Sequence, residues 1–172
     1  MKTLTLVLAL GVTVALSSTF AADKGKSDTA SATDTAFIKK AADGGMTEVE
    51  LGKVAEKNGQ KENVKSFGTQ MVKDHGKAND DLKSIAATMN VTLPAKVSAQ
   101  HQAKIDKMSK MSGDAFDAAY VKGMVEDHQK TVADFEKASS TVKNADLKKF
   151  IDDTLPVIKG HLKMVKEMQA GK

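Results

Sequence analysis

The chain has 172 residues, with 26 lysines and no arginine, 22 acidic residues, one tyrosine, and neither tryptophan nor cysteine. The absence of cysteine excludes thiolate metal sites, thiol nucleophiles and disulfide staples, so packing alone must hold the fold. A net charge of +4 invites nucleic acid, but the chain lacks arginine forks and base-stacking platforms, and its lysines alternate with acids. The charge therefore reads as a solvated surface, and nucleic acid is not an expected partner.

Met1-Lys2 is a short positive start, Leu4 to Leu16 is apolar and uncharged, and Thr19 and Ala21 place small residues at −3 and −1 of a cut after Ala21. Residues 1–21 are thus expected to be a signal peptide, giving a secreted or periplasmic protein. The apolar run is too short for a membrane span, and no later stretch is apolar enough for one. Removing it leaves 151 residues, the size of one domain. Ala22 to Thr33 is small and polar, a flexible lead-in, and residues 34–172 form the domain.

The first helix is expected from an N-cap at Thr33 or Asp34 to about Lys57. Its stripe is Ile38, Ala41, Gly45, Glu48, Gly52 and Ala55, with a local weakness at Gly44-Gly45 and a stop at Asn58-Gly59. The second spans about Gln60 to Asn90, with Val64, Phe67, Met71, His75, Ala78, Leu82, Ile85 and Met89 in three-four steps. Val91 to Met111, with Leu93-Pro94 and a short amphipathic stretch, reads as a crossover with its own short helix. Ser112-Gly113-Asp114 opens the third long helix, whose seam is Val121, Met124, His128, Val132, Phe135 and Val142. After a break and cap at Asn144 the fourth carries Leu147, Ile151, Thr154, Ile158, His161, Val165 and Met168, with a kink expected at Pro156 that frees the Asp152 carbonyl. The pattern is all-α: an antiparallel four-helix bundle with a short crossover helix between helices two and three.

Three seams contain a histidine, and buried imidazoles need partners. Across an antiparallel hairpin, residues at one level share a midpoint with the turn. Glu48 and His75 have their midpoint at 61.5, near the expected turn at Asn58 to Lys61, while His128 and His161 have theirs at 144.5, the turn at Asn144. His75 lies 15 residues before Asn90 and His128 15 after Gly113, so all four groups fall about 20 Å from the crossover end. One layer should hold them. His101 falls outside it and should be exposed.

Neutral imidazoles with one carboxylate suit one transition-metal ion, Zn, Cu, Fe, Ni or Mn, bound by Glu48, His75, His128 and His161. Asp74 and Asp127, each preceding a histidine, either orient an imidazole of a neighbouring helix or stand in solvent. Met71, Met124 and Met164 add thioethers that would suit copper, or else fill the core. A ferritin-type di-iron centre needs glutamate three residues before two of the histidines; Val72, Val125 and Ile158 stand there. The alternative to a metal is a buried hydrogen-bond network in a non-catalytic envelope protein. An enzyme using the cluster for acid–base or redox chemistry is a third reading, for which the sequence specifies no substrate pocket. No protein partner can be read, and an oligomer is compatible with the pattern.

The phrases Glu48-Val49-Glu50-Leu51-Gly52, Met71-Val72-Lys73-Asp74-His75, Ser112-Gly113-Asp114-Ala115-Phe116-Asp117-Ala118-Ala119-Tyr120, Met124-Val125-Glu126-Asp127-His128 and Thr154-Leu155-Pro156-Val157-Ile158-Lys159-Gly160-His161-Leu162 resemble a bacterial exported family of unknown function, often labelled an outer membrane protein. The resemblance spans about Asp34 to Met168 and implies a ferritin-like fold. It implies family positions at Glu48, Asp74, His75, Asp117, Tyr120, His128, Pro156 and His161, so Asp117 and Tyr120 join Asp74 and Asp127 as surrounding or alternate ligands. It implies no reaction, and amphipathic helices without strands do not fit a membrane barrel.

Overall fold

A computed structural model describes residues 30–171. The expected signal peptide and most of the lead-in lie outside them. The described residues are all-α, with no strand: α1 (Ala32–Asn58), α2 (Glu62–Thr88), α3 (Ala99–Ser109), α4 (Gly113–Thr141) and α5 (Ala145–Gln169). None of these helices is long and apolar enough to cross a membrane.

Local chemistry sets the helix ends. The cap of α1 is Ser31 rather than Thr33 or Asp34. The Asp34 amide donates to Ser31 Oγ at 3.0 Å and the Ser31 amide donates back to Asp34 Oδ2 at 3.4 Å, a reciprocal box that makes Asp34 the third helical residue. Asn144 accepts from the Leu147 amide at 2.9 Å and starts α5. The local weakness at Gly44-Gly45 does not interrupt α1. A side chain at Gly45 would meet Asn79 Oδ1 at 2.1 Å, so close packing with α2 needs the glycine, and that packing overrides its poor helix propensity. Helix α5 contains Pro156 within its span.

The helices form a bundle of two hairpins, α1 with α2 and α4 with α5. Helix α2 also packs on α5, α1 meets α4 more sparsely, and α3 lies against both α1 and α4. The α1–α2 approach is closest at Gly52 and Gly68: a Cβ built on either would lie 2.7 Å from the other's carbonyl oxygen. Small residues in the α1 stripe thus let two backbones touch. Across the other hairpin Ser139 Oγ donates to Asp152 at 2.7 Å.

Polar bonds tie the crossover down. Asn58 Nδ2 donates to the carbonyls of Ser109 and Met111 at 3.1 and 2.9 Å. At the other end of α3, the Ser98 amide donates to Asp43 Oδ1 at 2.7 Å, and His101 Nδ1 lies 2.8 Å from Asp43 Oδ2. His101 is therefore half-buried against α1, not free in solvent.

Two apolar clusters fill the interior. One gathers Ile38, Leu82, Phe135, Leu147, Phe150, Ile151 and Ile158. The other gathers Leu51, Val64, Phe67, Met71, Phe116, Tyr120, Met124 and Val165. Along each long helix the polar position falls between them: Glu48 on α1, His75 on α2, His128 on α4 and His161 on α5. A buried polar layer divides the core.

Candidate metal centre

The layer brings three imidazoles into a near-equilateral triangle. Ring centroids of His75 and His128 are 5.8 Å apart, those of His75 and His161 5.4 Å, and those of His128 and His161 5.6 Å. One ligating nitrogen from each ring lies within 4.8 Å of those of the other two. Nitrogens around one tetrahedral ion are about 3.4 Å apart, given bonds of about 2.1 Å, so the three would have to draw together to share one ion. Phe67 walls the site, with its ring centroid 6.3 Å from those of both His128 and His161.

Two of the three rings are anchored through one nitrogen, and the other nitrogen of each has no partner. His128 Nδ1 lies 2.9 Å from the Met124 carbonyl oxygen and must donate to it. His161 Nε2 lies 2.8 Å from Asp74 Oδ2 and donates there, and Gln70 also donates to that carboxylate. Each bond fixes a tautomer, leaving a lone pair on His128 Nε2 and on His161 Nδ1. Those two atoms and His75 Nε2 are buried without a hydrogen-bond partner. An imidazole held by an acceptor on one nitrogen with its other nitrogen free is the usual posture of a metal ligand.

Electrostatics keep all three rings neutral. Burial, then the neighbouring His128 and His161, pulls His75 down to about 3. Burial and His161 pull His128 down to about 4, despite the opposing pull of the Met124 carbonyl. Burial lowers His161 too, against the opposing charge and hydrogen bond of Asp74. Neutral imidazole is the ligating form.

Glu48 is buried in the same layer, with Oε2 lacking a partner. It lies outside the set of nitrogens within 4.8 Å and instead borders, with His75, a cavity of about 120 Å³. Burial and the Asp127 charge raise its carboxyl to about 8. Tyr120 stacks on Phe116 at 5.5 Å, its hydroxyl also buried and unpartnered, and burial and Glu48 push its ionisation well up.

The remaining candidates are engaged elsewhere. Asp117 accepts from the Gln60 and Lys61 amides, both at 2.9 Å, at the start of α2. Asp127 pairs with Lys104 of α3. Asp74 is the one aspartate of the repeated phrase bonded to a histidine. Met71 and Met124 are buried in the apolar cluster beside Phe67, while Met164 is exposed. Sequence reasoning did not single out Phe67, Lys104 or the Met124 carbonyl. Only the last had a signal, since the carbonyl four residues before a helical histidine is within its reach.

Residues 19–168 match the model of the family described as Domain of unknown function (DUF4142). The chain belongs to that family. This DUF4142 domain is similar in fold to the crystal structure of a DUF305 fragment from Deinococcus radiodurans. The TM-score is 0.74 at 10% identity, over 84% of this chain and 99% of that one. No curated protein matches the chain.

Proposed function

We propose that this domain binds one transition-metal ion in the bundle core, through His75, His128 and His161 with Glu48 as the fourth donor, and serves metal handling or stress protection. The observation that carries this reading is the trio of buried histidines whose ligating nitrogens lie within 4.8 Å of one another, each ring keeping one buried nitrogen without a partner. An orphaned buried polar atom costs about 1–3 kcal/mol, and here three adjacent rings each carry one, two of them with the tautomer fixed by the other nitrogen. A dication beside Glu48 would favour its carboxylate and replace the proton that burial now retains. Zn, Cu, Fe, Ni and Mn all accept such donors.

The same reading takes the fold as a ferritin-like antiparallel four-helix bundle with α3 as crossover, and the protein as exported. The two hairpins and the DUF305 likeness support the bundle, and the N-terminal pattern of residues 1–21 supports export. It does not extend to ferroxidase chemistry, because Val72, Val125 and Ile158 occupy the positions where a di-iron centre needs glutamate.

Untagged protein, purified without chelator, should contain close to one equivalent of metal by elemental analysis, or take it up from a panel of divalent ions. The double variant His75→Ala/His128→Ala should lose affinity by at least about a hundredfold, near 3 kcal/mol. If no ion binds better to the wild type than to this variant, the metal reading falls and the layer is a metal-free polar network.

A further inference from the structure

We propose that the centre is open on its α1 side, where the cavity admits a small monodentate anion, of the size of azide or formate, to a coordination position beside His75. This rests on the metal reading above and specifies what that site takes.

Three observations converge on it. Of the three histidines, only His75 lines the cavity, together with Glu48, so the void approaches the triangle from one edge. The two residues also supply the buried, unpartnered atoms His75 Nε2 and Glu48 Oε2. A void bordered by orphaned polar atoms is a place for water or a ligand, not a packing fault. The cavity also reaches the seam of α1 and α4, where those two helices meet sparsely. There α3 bridges the two helices through the His101–Asp43 and Lys104–Asp127 pairs, while Lys40 and Asp134 pair across the seam at 2.7 Å.

Size and charge choose the ligand class. About 120 Å³ holds several water molecules or one ligand of a few heavy atoms. A dication in a low-dielectric core favours an anion at any vacant position. Three imidazoles and a carboxylate do not fill the shell of an ion that takes five or six donors, and even a four-coordinate zinc can expand to five.

Gly44 gives a way to close the route. It lines the cavity, and a Cβ built there meets nothing within 4 Å. A larger side chain therefore has room at this position on the cavity's lining, and leaving glycine favours the helix.

The test loads the full-length protein with Co²⁺ and follows its visible d–d absorption during azide titration. Saturable spectral change is expected in the wild type and in Gly44→Ala. In Gly44→Phe, azide affinity should fall by at least about tenfold while cobalt affinity stays within about twofold; Gly44→Leu serves as a smaller plug should the phenylalanine disturb folding. A wild-type spectrum that azide leaves unchanged, with cobalt held through His75, overturns the open position but leaves the metal reading standing. An undiminished azide response in both plugged variants overturns the cavity as the route. Failure of cobalt to bind at all removes the metal reading and this inference with it.

Discussion

Asp117 and Glu48 are both carboxylates sealed inside the same bundle, and their surroundings differ in kind. Asp117 has both oxygens engaged by backbone amides at the α1–α2 turn. Glu48 has a buried oxygen with no partner, a carboxyl raised to about 8, and a cavity in front of it. Fully partnered burial of charge is how a fold closes a helix end. Unpartnered burial raises energy without structural return, and in a polar layer shared with three unpartnered imidazole nitrogens it is the cost that the proposed ion would offset. The end of the bundle near Asp117 is built for stability, whereas the layer at Glu48 sacrifices some.

The largest expected effect tests the stability side. Asp117→Ala strips two charge-assisted bonds and leaves the Gln60 and Lys61 amides without their acceptor. That should cost about 4 kcal/mol, lowering the melting temperature by about 10 °C. The loss should be the same with chelator or with saturating metal in both proteins, because this cap is remote from the imidazoles. A variant melting within about 2 °C of wild type would remove Asp117 from the structural side of the comparison.

The layer itself should show in the pH dependence of metal-free stability. His75 and His128 have folded values of about 3 and 4 against 6.5 unfolded. As pH falls below 6.5 the unfolded chain takes up protons that the folded chain refuses, so stability declines. Glu48 acts oppositely, with a folded value of about 8 against 4.5. It keeps a proton that the unfolded chain has released, so stability declines as pH rises from 4.5 to 8. The two windows give a maximum near pH 6.5. From there to pH 5 the two imidazoles remove about 3 kcal/mol while Glu48 returns about 2, and from pH 6.5 to 8 Glu48 removes about 2. Glu48→Gln should flatten the alkaline decline and steepen the acid one in urea titrations with chelator. An unaltered profile would mean that Glu48 is not the strained carboxylate.

The convergence of the three histidines is legible in the sequence because helical periodicity places each on a seam and the two turns fix the levels. The contact of Gly52 with Gly68 shows the physical basis of that register, and the small-residue stripe of α1 announces it. Three features are not legible. Asp117 caps a helix end 57 and 56 residues away in sequence from its partners, a tertiary choice that no local pattern encodes. The path of α3 over the α1–α4 seam depends on Asn58 and Asp43, polar side chains with no distinguishing neighbours. The continuity of α1 through Gly44-Gly45 reverses a local propensity, because Asn79 needs the space at Gly45.

The smallest effect separates two copies of one phrase. Asp74 and Asp127 each precede a histidine, yet Asp74 accepts from His161 on a neighbouring helix, whereas Asp127 pairs with Lys104. Only the first aligns an imidazole and raises its donor strength through the far nitrogen. Asp74→Asn keeps an acceptor but loses the charge, so metal affinity should fall about ten- to a hundredfold, about 2 kcal/mol. Asp127→Asn should change affinity by less than about threefold, since its ion pair is partly exposed and worth about 1 kcal/mol or less. Competition titrations of both variants against the same chelator distinguish these outcomes. Equal losses would mean that general negative charge around the layer, not the aimed bond to His161, supports the ion. A loss confined to Asp74→Asn would identify His161 as a ligand through the residue that holds it.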